Sequence, residues 1–206
     1  MDFIMQPKEE AMSYIHKVFP KYKRLLDDDV IEHSDRVCDI ALFLADEYGF
    51  NLNERIEIGM GSILHDIGKA KVDGGVLNKS GRLSENEMML VERHPHLGYK
   101  ILKTMAFPQI VSDIAHQHHE YLDGSGYLDG LTAKKIDIRT QIVTVADMFE
   151  AMTAKRVYHD PIPPEDTIMI LRRDYEKKIN QTAVGILAKR LDDIKEMLKL
   201  QKNSKK

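Results

Sequence analysis

A histidine followed directly by an aspartate, His65-Asp66, closes the apolar run Ile63-Leu64, and Lys69 follows three residues later. Imidazole nitrogen and carboxylate oxygen both ligate divalent cations, and a carboxylate has a second oxygen with which to bridge two of them. Whether the pair is a metal centre or two polar residues at a helix end depends on what else converges there. His33 lies three residues after Val30 and four before Val37, on one apolar helical stripe. Asp147 sits inside Ile142-Val143-Thr144-Val145-Ala146-Asp147-Met148-Phe149, where an unpaired carboxylate is costly. His94 precedes Pro95 at a helix start, and His118-His119 ends another helix. Taken singly, His33 reads as a core histidine, His94 as a cap or loop residue, and His118-His119 as surface. Taken together, separate segments deliver His or Asp to buried faces and helix ends, where a bundle can bring them together. Three or more imidazoles with two carboxylates suit Fe, Mn or Zn better than Mg or Ca, and the number exceeds what one ion needs. Two ions with Asp66 as bridge are therefore expected. His16, His96 and His116 are expected to stand outside the centre.

The elements that would position these residues are helical. Pro7 predicts a helix running to Phe19, with Pro20 as its stop. An amphipathic run from about Asp28 to Tyr48 follows, and Gly49 suits the left-handed position after it. Asn51 or Asn53 caps the next helix, expected to end near Lys69. Residues 70–83 read as a loop, and Ser84 to Glu87 as a capping box. Helices are expected from His94-Pro95, from Pro108 to about His119, from Arg139 to Ala154, from Pro164 and from Thr182. Between them, Glu120 to Asp137 is a long irregular segment with three glycines, a length that usually signals function. The predicted fold is all-α, a single-domain helical bundle, with an N-terminal helix (1–24), a main body (25–175) and a C-terminal helix with a basic tail (176–206).

The 206 residues, 43% hydrophobic and 31% charged, can bury a substantial core. A net charge of -3 provides no global attraction for a nucleic-acid polymer or an anionic membrane, so phosphate binding must be local. The single cysteine, Cys38, excludes an internal disulfide and reads as a small core residue. The absence of a signal-peptide pattern and of any apolar run of about 18 residues points to the cytoplasm.

His33, His65-Asp66 and Asp147, in this order on helices, resemble the HD superfamily of metal-dependent phosphohydrolases. The resemblance is closer still to its HD-GYP branch, through His65-Asp66-Ile67-Gly68-Lys69, His94-Pro95 with Gly98, His118-His119-Glu120-Tyr121-Leu122-Asp123-Gly124-Ser125-Gly126-Tyr127, and Asp147 with Glu150-Ala151-Met152-Thr153 and Arg156. It covers roughly residues 25–175. It implies the HD-domain type of bundle and two divalent ions, Fe or Mn foremost. The first ion would take His33, His65, Asp66 and Asp147; the second would share Asp66 and take His94, His118 and His119. Lys69 and Arg156 would contact phosphate. Tyr127 would be a loop anchor or a base-stacking surface, and Asp123 a loop cap. The implied activity is hydrolysis of a cyclic dinucleotide, cyclic di-GMP foremost, by a hydroxide held between the ions. Other nucleotides, or a degenerate domain that binds nucleotide or a signalling protein, are the alternatives. The chain departs from the family in Leu128, where the signature has proline, which bears on the loop or on a partner surface. Asp29 stands where some members place a glutamate for a third ion, and His159 where a basic residue is usual.

Overall fold

In the computed structural model, which describes residues 2–79, 81–155 and 160–204, the chain is a bundle of helices. These are α1 (Asp2–Val18), α2 (Asp28–Glu47), α3 (Leu52–Leu64), α4 (Gly74–Leu77), α5 (Glu85–Val91), α6 (His94–Lys103), α7 (Gln109–Gln117), α8 (Ile138–Thr153), α9 (Pro164–Arg173), α10 (Gln181–Lys189) and α11 (Leu191–Ser204). Among the described residues the only strand-like pairing is an isolated bridge between Asp123 and Thr132. None of the described helices is long and apolar enough to cross a membrane.

The centre of the fold is α2. Val37, Cys38 and Ile40 to Leu42 on this helix are completely buried, and it packs against α1, α3 and α8. The α3 helix is in turn covered by α7, and α6 lies against α7 and the 3-10 turn Ile67–Lys71. So the apolar stripes that define α2, α3, α7 and α8 face one another and hold four helices at fixed spacing. Asn51 begins α3 and Ser84 begins α5, each through a reciprocal capping box with Glu54 and Glu87. Gly49, at φ 75°, turns the chain out of α2.

Some boundaries differ from the sequence-based expectation. Pro7 lies inside α1, which begins at Asp2. A proline at that depth removes one backbone hydrogen bond, but Ile4, Ala11 and Ile15 on either side are buried in the core, and tertiary packing carries the helix through it. Lys8 adds a largely buried ion pair to α2, 2.8 Å from Asp39 and 2.9 Å from Asp35. The helix carrying the His-Asp pair ends at Leu64 rather than near Lys69, and continues as the 3-10 turn. Within the expected loop of residues 70–83, Asp73 accepts hydrogen bonds from the amides of Gly75 and Val76 and starts the single turn α4. The chain also breaks at Arg190, which divides the C-terminal segment into α10 and α11.

The close approach of the 3-10 turn to α6 depends on Gly68. A Cβ there would lie 1.9 Å from the carbonyl oxygen of His94 and 2.5 Å from the amide nitrogen of Gly98. Gly68→Ala is therefore expected to destabilise the fold by about 3 kcal/mol, lowering the melting temperature by roughly 6–12 °C. Thermal unfolding followed by circular dichroism, in the presence of a chelator, measures this; an unchanged midpoint would show that α6 can move away without cost.

Candidate metal centre

Each histidine of the centre except His33 sits at a helix boundary. His65 is the residue after α3, His94 is the first residue of α6, and His118 is the residue after α7 with His119 next in the chain. The last carbonyls of a helix have no partner within it, and they orient these rings. His65 Nδ1 lies 2.7 Å from Ser62 O, His94 Nδ1 2.8 Å from Val91 O, and His118 Nδ1 3.1 Å from Ala115 O. A carbonyl only accepts, so each Nδ1 donates, and in the neutral ring the lone pair is then on Nε2. Thr144 Oγ1 donates to His118 O at 3.0 Å, fastening the end of α7 to α8.

The Nε2 atoms converge on Asp66, which is 1% exposed. Its two oxygens face different sets of partners. Oδ1 is 3.2 Å from His94 Nε2 and 4.0 Å from His118 Nε2. Oδ2 is 3.3 Å from His65 Nε2 and 3.7 Å from His33 Nε2, and accepts from Lys69 Nζ at 2.6 Å. Asp147 Oδ1, from the middle of α8, is 3.0 Å from His33 Nε2 and 3.9 Å from His65 Nε2. Ligand-type atoms lie within 4.8 Å of one another in three groups: His33, His65 and Asp66; His94, His118 and His119; His65, His118 and Asp147. Thus the structure brings together every one of the seven residues expected as ligands. Asp29 is exposed at the start of α2 and belongs to none of these groups. His116 instead pairs with Asp129 at 2.9 Å. Arg156 and His159 lie outside the described residues.

The electrostatics suit a cation. Burial and the neighbouring imidazoles of His119, His65 and His94 hold His118 well below its ordinary pKa, and burial pulls His119 down to about 4. Both are therefore neutral near pH 7, with lone pairs available. Burial would raise both aspartates, but Lys69 and His65 outweigh it at Asp66, and His33 outweighs it at Asp147, so both remain carboxylates. His33 is the exception among the imidazoles: burial lowers it, yet Asp147 and Glu150 raise it to about 9. Meanwhile His65 Nε2 is buried with no hydrogen-bond partner. Crowded lone pairs, two carboxylates and an orphaned buried nitrogen fit a bound cation and are costly without one.

Three contributors, Glu150, Arg36 and Glu120, were given no role from the sequence, although Glu120 and Glu150 stand in the quoted motifs. Glu150, 1% exposed, accepts from His33 Nδ1 at 2.5 Å and from Arg36 Nε at 2.5 Å. It lies one helical turn beyond Asp147, a spacing that marks the same face. Glu120, directly after the histidine pair, is buried and organises the glycine-rich loop: it accepts from the amides of Asp129 at 2.6 Å and Leu131 at 2.9 Å. Leu128, where the family signature has proline, is exposed, and its peptide bond with Tyr127 is cis. Tyr127 stacks on His119 with ring centres 4.8 Å apart and donates its amide to His119 O. One face of the Tyr127 ring is therefore packed against the centre. Asp123 caps the loop by accepting from the amide and hydroxyl of Ser125.

The chain is similar to several known proteins. A family model for the HD domain matches residues 22–182. The cyclic di-GMP phosphodiesterase response regulator RpfG of Xanthomonas campestris is 40% identical over 128 residues, covering 61% of this chain and 34% of that protein. The 3′3′-cGAMP-specific phosphodiesterase 1 of Vibrio cholerae is 33% identical over 143 residues, covering 69% of this chain and 33% of that protein. The chain thus spans about a third of the length of these curated relatives. Among solved structures, the HDG"Y"P protein Bd1817 of Bdellovibrio bacteriovorus shares the fold, with a TM-score of 0.69 at 20% identity, covering 90% of this chain and 62% of that one.

The titration of the imidazoles makes a prediction for the chelated protein. The folded pKa of His33, about 9, lies above the ordinary 6.5, so its contribution to stability is complete below pH 6.5 and is lost as pH rises toward 9. The folded pKa of His119, about 4, lies below 6.5, so its contribution is present above pH 6.5 and is lost as pH falls toward 4. Thermal midpoints measured across this range with chelator present should be highest near neutrality and fall on both sides. His33→Gln should flatten the alkaline limb; an alkaline limb that persists in this variant would show that His33 is not its source.

Proposed function

The chain belongs to the HD-domain family, in its HD-GYP branch, and on that premise we propose that it is a metal-dependent phosphodiesterase hydrolysing a cyclic dinucleotide, cyclic di-GMP foremost. The observation that carries this is the two-sided environment of Asp66, with His94 and His118 at one oxygen and His33 and His65 at the other. In this reading His33, His65, Asp66 and Asp147 hold one divalent ion. His94, His118 and His119 hold a second, and Asp66 is shared. A nitrogen-rich set with carboxylates favours Fe or Mn over Mg or Ca.

Such ions, when bound, lower the pKa of coordinated water and offset charge on a phosphate. The chain supplies the rest. Lys69, whose side chain is 24% exposed beside buried Asp66, is placed to turn its ammonium toward a non-bridging phosphate oxygen while still neutralising the carboxylate. The segment from Glu120 to Asp137, fixed by Glu120 and by Tyr127 on His119, would form one wall of the substrate site. Arg156 is assigned a second phosphate contact from its place in the family motif. The relatives named above are a cyclic di-GMP phosphodiesterase and a 3′3′-cGAMP-specific phosphodiesterase, so both cyclic dinucleotides are candidate substrates.

The test is turnover of each cyclic dinucleotide by protein loaded anaerobically with Fe(II) or with Mn(II). Faster cleavage of cyclic di-GMP supports the reading; a protein that binds both metals and cleaves neither nucleotide overturns it. Asp66→Ala should lose metal at both positions, measured as metal per chain, together with all hydrolysis. Lys69→Ala should retain its metal and lose about 10²–10³-fold in turnover. Metal loss in Lys69→Ala would assign Lys69 to the binding of the ions rather than of phosphate.

A further inference from the structure

We propose that Glu150 is a positioning residue that makes the two ion positions unequal, so that the one on the His33 side binds its ion more tightly. This rests on the two-ion reading above. His65, His94 and His118 each give their Nδ1 proton to a main-chain carbonyl. His33 gives its own to a carboxylate, Glu150 Oε2, at 2.5 Å. An imidazole bonded to a carboxylate is a more basic donor, and its ring is held in one orientation.

Glu150 is itself held. Its other oxygen accepts from Arg36 Nε at 2.5 Å, and Arg36, whose side chain is 26% exposed, reaches Glu32 at 3.4 Å near the surface. The chain of contacts runs from surface to centre: Glu32, Arg36, Glu150, His33, Asp147. The distribution of charge points the same way. On the His33 side stand Asp147 Oδ1 at 3.0 Å from His33 Nε2 and Asp66 Oδ2 at 3.7 Å, with Glu150 behind the ring. The grouping of His94, His118 and His119 is made of imidazoles with Asp66 shared, and Asp147, 3.0 Å from His33 Nε2, also lies within 4.8 Å of His118. Of the three carboxylates on the His33 side, Lys69 offsets Asp66 and Arg36 offsets Glu150, which leaves Asp147 as the negative charge that favours a cation there.

Calorimetric titration of the full, metal-free chain with Mn(II) tests this. The wild type should bind two ions in separate steps, one tight and one weaker. Glu150→Gln keeps the shape and removes the charge. It should weaken the tight step by about 10–100-fold and leave the weaker step in place. Arg36→Met, at a partly exposed site, should weaken the same step by a smaller factor and decides the matter if Glu150→Gln does not fold. Melting of each metal-free variant separates lost affinity from lost structure. The proposal is overturned if the wild type binds two ions with equal affinity, if Glu150→Gln weakens both steps alike, or if the tight step stays within about twofold of wild type in both variants. Unequal binding that responds to Glu150→Gln supports it even if no cyclic dinucleotide is cleaved, in which case only the proposed activity fails. Cleavage by a protein with two equal ion positions would sink the role of Glu150 alone.

Discussion

A carboxylate buried to 1% exposure at the meeting point of four helices is the constraint to which the rest of this fold answers. Asp66 cannot be left there alone: the cost of burying an unpaired charge far exceeds the net stability of a domain of this size. Lys69 neutralises one oxygen from outside and His33 keeps its proton between Asp147 and Glu150, but His118 and His119 are held neutral, and Asp147 adds a second carboxylate. The interior is therefore built with an excess of electron-pair donors, an arrangement that becomes favourable once positive charge is placed among them.

How the donors are aimed follows from helix ends. The carbonyls closing α3, α5 and α7 would otherwise lack partners, and the Nδ1 protons of His65, His94 and His118 satisfy them. One set of hydrogen bonds thus finishes three helices and fixes three rings with Nε2 inward. His33 and Asp147 lie instead on the interiors of α2 and α8, where no carbonyl is free, and side chains do the orienting, Glu150 above all. The two halves of the centre are supported by different chemistry because they sit on different parts of helices.

The glycine-rich loop follows the same logic on a smaller scale. Its amides at Asp129 and Leu131 converge on Glu120, and Tyr127 lies flat against His119. The backbone is thus tied to a buried carboxylate and to a ring of the centre, while Leu128 is exposed.

Much of this was legible in the residues themselves. The helical fold, the capping box at Ser84, a cap at Asn51 or Asn53, the irregular segment after His119 and the seven candidate donors all rest on local patterns: apolar period, cap chemistry, and polar residues in places where burial forbids them singly. Tertiary structure decided the rest. It carried α1 through Pro7, because the buried stripe of Ile4, Ala11 and Ile15 outweighs one lost hydrogen bond. It brought segments distant in the chain within a few ångströms, which no spacing along the chain encodes. And it gave Glu150, Glu120 and Arg36 their roles. In sequence Glu120 and Glu150 are motif residues without a role and Arg36 an ordinary charged residue of a helix; only the packing of α8 on α2, and of the loop on the end of α7, determines which charges are removed from water and what they must then hold.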